Sequence, residues 1–137
     1  MGKKILIIDD EDDARAFCSS VVQKSGYEPL IAKNGEEGIR KVREEKPDLV
    51  ILDIMMPRQS GIRMYHELKT NPQFRDIPVI VLSAIAQKTF LRSQSALTEF
   101  EDAPVPEPEA YIEKPAEPEE MEAMVKKLMV KEDKIWK

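Results

Sequence analysis

The sequence predicts an α/β domain built on a parallel sheet with helices on both faces. Three observations carry this expectation. Leu49-Val50-Ile51-Leu52 is an unbroken apolar run, the form taken by a strand buried on both faces. Ile5-Leu6-Ile7-Ile8 and Val79-Ile80-Val81-Leu82 repeat it. Between the runs lie stretches with apolar residues at helical spacing, so strand and helix alternate along the chain.

The first strand, Lys4 to Ile8, runs straight into Asp9-Asp10-Glu11. Asp12 and Asp13 then open a helix with Ala14, Phe17, Cys18, Val21 and Val22 on one face, and acids at that end suit its dipole. Cys18 lies on the apolar stripe and reads as core filler, not as a nucleophile. Ser25-Gly26 ends the helix. Tyr27 to Ala32 is the second strand, and Pro29 demands an edge position for it. Asn34 and Glu37 resemble a capping box ahead of a second helix, which turns Ile39 and Val42 inward and Glu36, Arg40, Lys41, Arg43 and Glu44 outward. Gly38 inside it should cost about 0.5–1 kcal/mol relative to Ala.

The central strand, Leu49 to Leu52, ends in Asp53 and a turn marked by Pro57 and Gly61. In open α/β sheets, ligands gather beyond the carboxyl ends of the strands, where this acid sits. Ser60 or Gly61 opens a third helix carrying Ile62, Tyr65 and Leu68, and Asn71-Pro72 closes it. His66, the only histidine, reads as a plain exposed residue of that helix. The fourth strand, Pro78 to Leu82, ends in Ser83-Ala84, and a fourth helix from Gln87 to Phe100 turns Phe90, Leu91 and Leu97 to the sheet. Glu101 to Glu109 is acidic with alternating prolines, which favour an extended chain and forbid a helix. It is expected to be a solvent-exposed protrusion that sets partner choice. A short fifth strand, Ala110 to Glu113, ends in Lys114-Pro115. The last helix starts near Pro118, buries Met121, Met124, Val125 and Leu128, and places Lys126, Lys127 and Lys131 at its far end. The tail, Glu132 to Lys137, carries Ile135 and Trp136.

At 137 residues the chain is expected to be one domain over 1–137, with the insertion at about 101–109 and the C-terminal helix and tail at about 117–137. A net charge of −5 argues against a sequence-independent grip on nucleic acid, so no DNA partner is expected. The single cysteine excludes an internal disulfide and fits a reducing compartment. No run is long enough to span a membrane, the charged start is not a signal peptide, and Leu6 spoils a myristoylation motif. A cytoplasmic protein without a membrane partner and without room for an effector domain is expected.

Four strand ends thus offer an acid pair, an acid, a hydroxyl and an amine. The motifs Ile7-Ile8-Asp9-Asp10-Glu11, Asp53-Ile54-Met55-Met56-Pro57-Arg58-Gln59-Ser60-Gly61, Leu82-Ser83-Ala84 and Tyr111-Ile112-Glu113-Lys114-Pro115 stand in order and span nearly the whole chain. In this the sequence resembles the receiver domains of two-component response regulators, the family that includes the single-domain chemotaxis regulator. The resemblance implies a flavodoxin-like five-stranded parallel sheet of order 2-1-3-4-5, which again puts the second strand at an edge.

The same resemblance implies a site. Asp53 would take a phosphoryl group from a sensor histidine kinase or histidine phosphotransfer protein, with Lys114 pairing to a phosphoryl oxygen. Mg²⁺ would be held by Asp10, Asp53 and the Met55 carbonyl, and by Asp9 largely through water. Three carboxylates without metal repel, so at least one pKa should rise. Ser83 and Tyr111 would be the switch residues, changing a partner surface made by the fourth helix, fifth strand and fifth helix. Met55 and Ile85 flank the water approach to the phosphoryl group. The Lys114–Pro115 bond is expected to be cis. The chain would catalyse only its own phosphorylation and dephosphorylation.

The sequence departs from the family in one respect. Ser83 and Lys114 are 31 positions apart, longer than the usual spacing, and Pro108-Glu109-Ala110 stands where a small Gly-Ala pair is usual. The alternative is a phosphorylation-independent pseudo-receiver, an interaction module. A haloacid-dehalogenase-type hydrolase would need an acid at position 55, and a nucleotide-binding domain a glycine-rich first turn in place of Asp9-Asp10-Glu11.

Overall fold

The three long apolar runs become the centre of a single sheet. In the computed structural model, which describes residues 2–57, 60–97 and 105–133, the strands are β1 (Lys4–Ile8), β2 (Glu28–Ala32), β3 (Leu49–Leu52), β4 (Val79–Ser83) and β5 (Ala110–Glu113). All pair in parallel, in the order β2-β1-β3-β4-β5. β2, with Pro29, is an edge. The helices are α1 (Asp12–Lys24), α2 (Gly35–Glu45), α3 (Ser60–Thr70), α4 (Gln87–Leu97) and α5 (Pro118–Asp133). Arg58 and Gln59, Thr98 to Pro104 and the tail from Lys134, with Ile135 and Trp136, lie outside the described residues.

Strand side chains alternate between faces, and this alternation divides the core in two. Ile5, Ile7, Leu49, Ile51, Ile80, Leu82, Ala110 and Ile112 meet Cys18 and Val22 of α1 and Met121, Val125 and Met129 of α5. Leu6, Ile8, Val50, Leu52, Val79 and Val81 meet Val42 of α2, Met64, Tyr65 and Leu68 of α3 and Phe90 of α4. Burial pushes the Cys18 thiol up to about 12, with Asp9 adding to it, so it stays protonated as core filler.

Local signals act where the sequence placed them, with two refinements. Asn34 Oδ1 accepts from the Glu37 N–H at 2.8 Å, while the Glu37 carboxylate turns toward Lys41 at 3.9 Å; half of the capping box forms. Gly38 is more than a helix-weakening residue. A Cβ there would lie 2.9 Å from Ile8 Cδ1 and from the tip of Met64, so its absence lets α2 settle close to β1 and α3.

Two expectations need correction. His66 is half-buried on α3, not plainly exposed. The proline-rich insertion is not simply a protrusion: in its described part Pro106, Glu107 and Glu109 are solvent-exposed as expected, but the segment is also tied to the body of the domain. Val105 packs against the core on the α3 and α4 side. The Pro106 carbonyl accepts from Tyr65 Oη at 2.5 Å. The Glu109 carboxylate takes hydrogen bonds from Lys69 Nζ at 2.9 and 3.1 Å and from the Val79 N–H at 2.8 Å. Lys69 is only 3% exposed, and an unpaired ammonium there would be costly. The carboxylate in place of a small residue is its partner.

Candidate phosphoacceptor site

Strand register brings the chemistry-bearing residues to one edge. Ile8 pairs with Leu52, and the ladder extends by one bond from the Asp53 N–H to the Ile8 carbonyl at 2.9 Å, setting Asp53 beside Asp9. On the other flank Ser83 pairs with Glu113, and the Lys114 N–H donates to the Ser83 carbonyl at 2.8 Å. The parallel sheet therefore aligns the four strand ends as the sequence suggested.

Asp9 and Asp53 are each 3% exposed, while Asp10 and Glu11 face solvent. One carboxylate oxygen from each of the four lies within 4.8 Å of the others. Lys114 Nζ reaches in from β5, 3.2 Å from Asp9 Oδ2, 3.3 Å from Asp53 Oδ2 and 3.5 Å from Glu11 Oε1. Burial raises the Asp9 carboxyl above the usual carboxylate range; the Glu11 N–H and Lys114 oppose this and Asp53 adds to it. Burial pulls Lys114 down, but Asp53 and Asp9 outweigh it and hold the ammonium above its ordinary value.

The backbone around the acids is pinned. Asp53 Oδ1 accepts from the Met55 N–H at 2.8 Å, and Asp9 Oδ1 from the Glu11 N–H at 3.0 Å. Gly61 is required for space, because a Cβ there would fall 2.4 Å from Ile54 Cα and 2.5 Å from the Asp53 carbonyl oxygen. Only glycine lets the start of α3 approach the chain just after the acid.

Ser83 is fully buried, and its Oγ accepts from the Ile85 N–H at 3.2 Å. Tyr111 is half-buried, donates its hydroxyl proton to the Ile85 carbonyl and lies 5.5 Å from the Phe90 ring. Burial pushes its phenol up to about 12, with Glu113 and Asp53 contributing, so it stays a donor. Met55 is 60% exposed beside Asp53, whereas Ile85 is half-buried against the core. The Lys114–Pro115 bond is cis.

Two residues of this region carry no role in the sequence reading. Glu11 belongs to the quoted motif but joins the cluster only through the turn after β1. Arg15 is buried, donates to the Asp9 carbonyl at 2.7 Å and pairs with Asp12. Its signal was available, since Arg15 stands three residues before Cys18 and seven before Val22 on the buried stripe.

Comparison with known proteins shows the family and the fold. The response regulator receiver domain family matches residues 5–126. The probable transcriptional regulator ycf27 of Pyropia yezoensis is 34% identical over 133 residues, covering 97% of this chain and 50% of its own. The phosphate regulon transcriptional regulatory protein PhoB of Escherichia coli is 33% identical over 129 residues, covering 94% and 52%. The chain thus spans about half the length of these curated relatives. The structure of the chemotaxis response regulator CheY4 of Vibrio cholerae superposes with a TM-score of 0.76 over 93% of this chain and 99% of that one, at 22% identity, a likeness of fold. Among the described residues no helix is long and apolar enough to cross a membrane. With the family matched along most of its length and the five-stranded fold in place, the chain belongs to the receiver domains of two-component response regulators.

Proposed function

We propose that this chain is a phosphoacceptor in which Asp53 takes a phosphoryl group from the phosphohistidine of a sensor histidine kinase or a histidine phosphotransfer protein. The observation that supports this best is the meeting of Asp53, Asp9 and Lys114, with the ammonium 3.3 and 3.2 Å from the two buried carboxylates. An Asp53 oxygen attacks phosphorus. The O–P bond forms as the donor's N–P bond breaks, and the imidazole leaves with the bonding pair and takes up a proton. Lys114 screens the incoming anion and then pairs with a phosphoryl oxygen.

Clustered carboxylate oxygens suit a hard divalent cation. Asp10, Asp53 and the Met55 carbonyl would hold Mg²⁺, and Asp9 would act through water. The ion supplies charge neutralisation between the carboxylates and the phosphoryl oxygens. Once phosphorylated, the Ser83 hydroxyl leaves its Ile85 contact for the phosphoryl group, and Tyr111 follows the strand-four loop. The surface of α4, β5 and α5 then presents one of two packings to a protein partner. We assign this chemistry to the cytoplasm, and to the chain itself no contact with DNA or membrane.

A phosphorylation-independent module is not favoured, since it has no need of Asp9, Asp10, Asp53, Ser83 and Lys114 at one edge. Mass spectrometry after acetyl phosphate and Mg²⁺ tests the reading. One phosphoryl group should appear on the wild type and none on Asp53→Ala or in EDTA. A wild type that stays unmodified, or an Asp53→Ala variant that is modified equally, would overturn it.

A further inference from the structure

The docked segment and the switch residue sit at opposite ends of one run of aromatic contacts. Tyr111 packs against Phe90 with ring centres 5.5 Å apart, tilted by 46°. Phe90, 1% exposed, meets Tyr65 edge-on at 4.9 Å. Tyr65, fully buried, ends the run by donating its hydroxyl to the Pro106 carbonyl. A second tie runs through the sheet. Glu109 binds the Val79 N–H at the start of β4, and the same strand ends in Ser83.

From these contacts we infer that Val105–Glu109 is a strap whose seating is linked to the packing of Tyr111. Buried aromatic rings cannot shift independently, because close packing leaves no space into which one could move alone. With Tyr111 turned inward and bonded to the Ile85 carbonyl, Phe90 is held against Tyr65, and Tyr65 in turn holds Pro106. When Tyr111 leaves that position, Phe90 loses a wall and the Tyr65 hydroxyl loses its alignment. The linkage is reciprocal: loosening the strap must weaken the inward position of Tyr111. Glu109 and Lys69 give the strap a fixed hinge, so the change falls on Val105 to Pro108. Only the trigger rests on the phosphoacceptor reading; the linkage itself does not.

The test is NMR on the full chain, reading backbone amide shifts and hydrogen exchange at Val105 and Glu107. Tyr111→Ala should shift these amides and speed their exchange by about 3- to 30-fold. Tyr65→Phe, which keeps the ring and removes only the hydroxyl, should do the same and also move the Ile85 and Tyr111 amides. Tyr27→Phe, on the opposite core, should leave all of them in place. Unchanged strap amides in Tyr111→Ala, or unchanged Ile85 and Tyr111 amides in Tyr65→Phe, overturn the linkage. Beryllofluoride with Mg²⁺ forms the second arm and should move the strap in wild type more than in Tyr65→Phe. If the Tyr111 and Tyr65 variants respond but beryllofluoride moves nothing, the linkage stands and the phosphoacceptor reading fails.

Discussion

At the scale of single residues, the site is built from carboxylates of unequal exposure. Asp9 and Asp53 are buried against Lys114, while Asp10 and Glu11 remain open to solvent. Met55 and Ile85 also differ. Met55 stands 60% exposed beside Asp53, whereas Ile85 is partly taken up by core packing and by the Tyr111 hydroxyl on its carbonyl. Neither side chain can orient an attacking water, so the phosphorylated state should be long-lived. Met55→Asn with Ile85→Glu, at saturating Mg²⁺, should shorten the phosphoryl half-life by about 10-fold or more. An unaltered half-life would show that apolar shielding does not set the lifetime.

At the scale of elements, two glycines decide how closely helices approach the sheet. Gly38 faces flexible side-chain ends, Ile8 Cδ1 and the tip of Met64, which can move aside. Gly61 faces backbone, which cannot. Gly61→Ala should therefore push the start of α3 away from Asp53-Ile54, cost about 1–3 kcal/mol and slow phosphorylation of Asp53. Denaturant unfolding and the initial rate with acetyl phosphate measure the two effects. A variant as stable and as fast as wild type would mean that the loop absorbs a methyl group without moving the acid.

At the scale of the whole molecule, the parallel sheet gathers like charges that would be safer apart. The raised Asp9 carboxyl reports this cost, with burial first and Asp53 adding to it. Because the folded chain holds that proton more tightly than the unfolded one, metal-free stability should fall as pH rises from the ordinary Asp range through the raised value, and then level off. Asp9→Asn should flatten this limb and raise Tm in EDTA at neutral pH by about 2–5 °C. Mg²⁺ should raise the Tm of wild type by binding only the folded state. Calorimetry across pH, with and without Mg²⁺, checks all three. An Asp9→Asn variant less stable than wild type in EDTA would mean that the bond to Lys114 outweighs the repulsion.

The sequence by itself determined the strands, their parallel arrangement and the residues at their ends. Each of these is local: an apolar run, a proline that selects an edge, an acid or amine where the run stops. Period-two alternation sets Tyr111 and Ile112 on opposite faces, and the structure shows that the Tyr111 face is the α4 side. Tertiary structure decided what depends on groups far apart in the chain. Arg15 under Asp9, Gly61 against the Asp53 backbone, Lys69 paired with Glu109 and Tyr65 bonded to Pro106 are such cases. A proline-rich acidic stretch reads as solvated because composition records its charges but not their partners. The structure places a buried lysine 40 residues upstream of Glu109, and the need to neutralise that cation turns a protrusion into a docked strap.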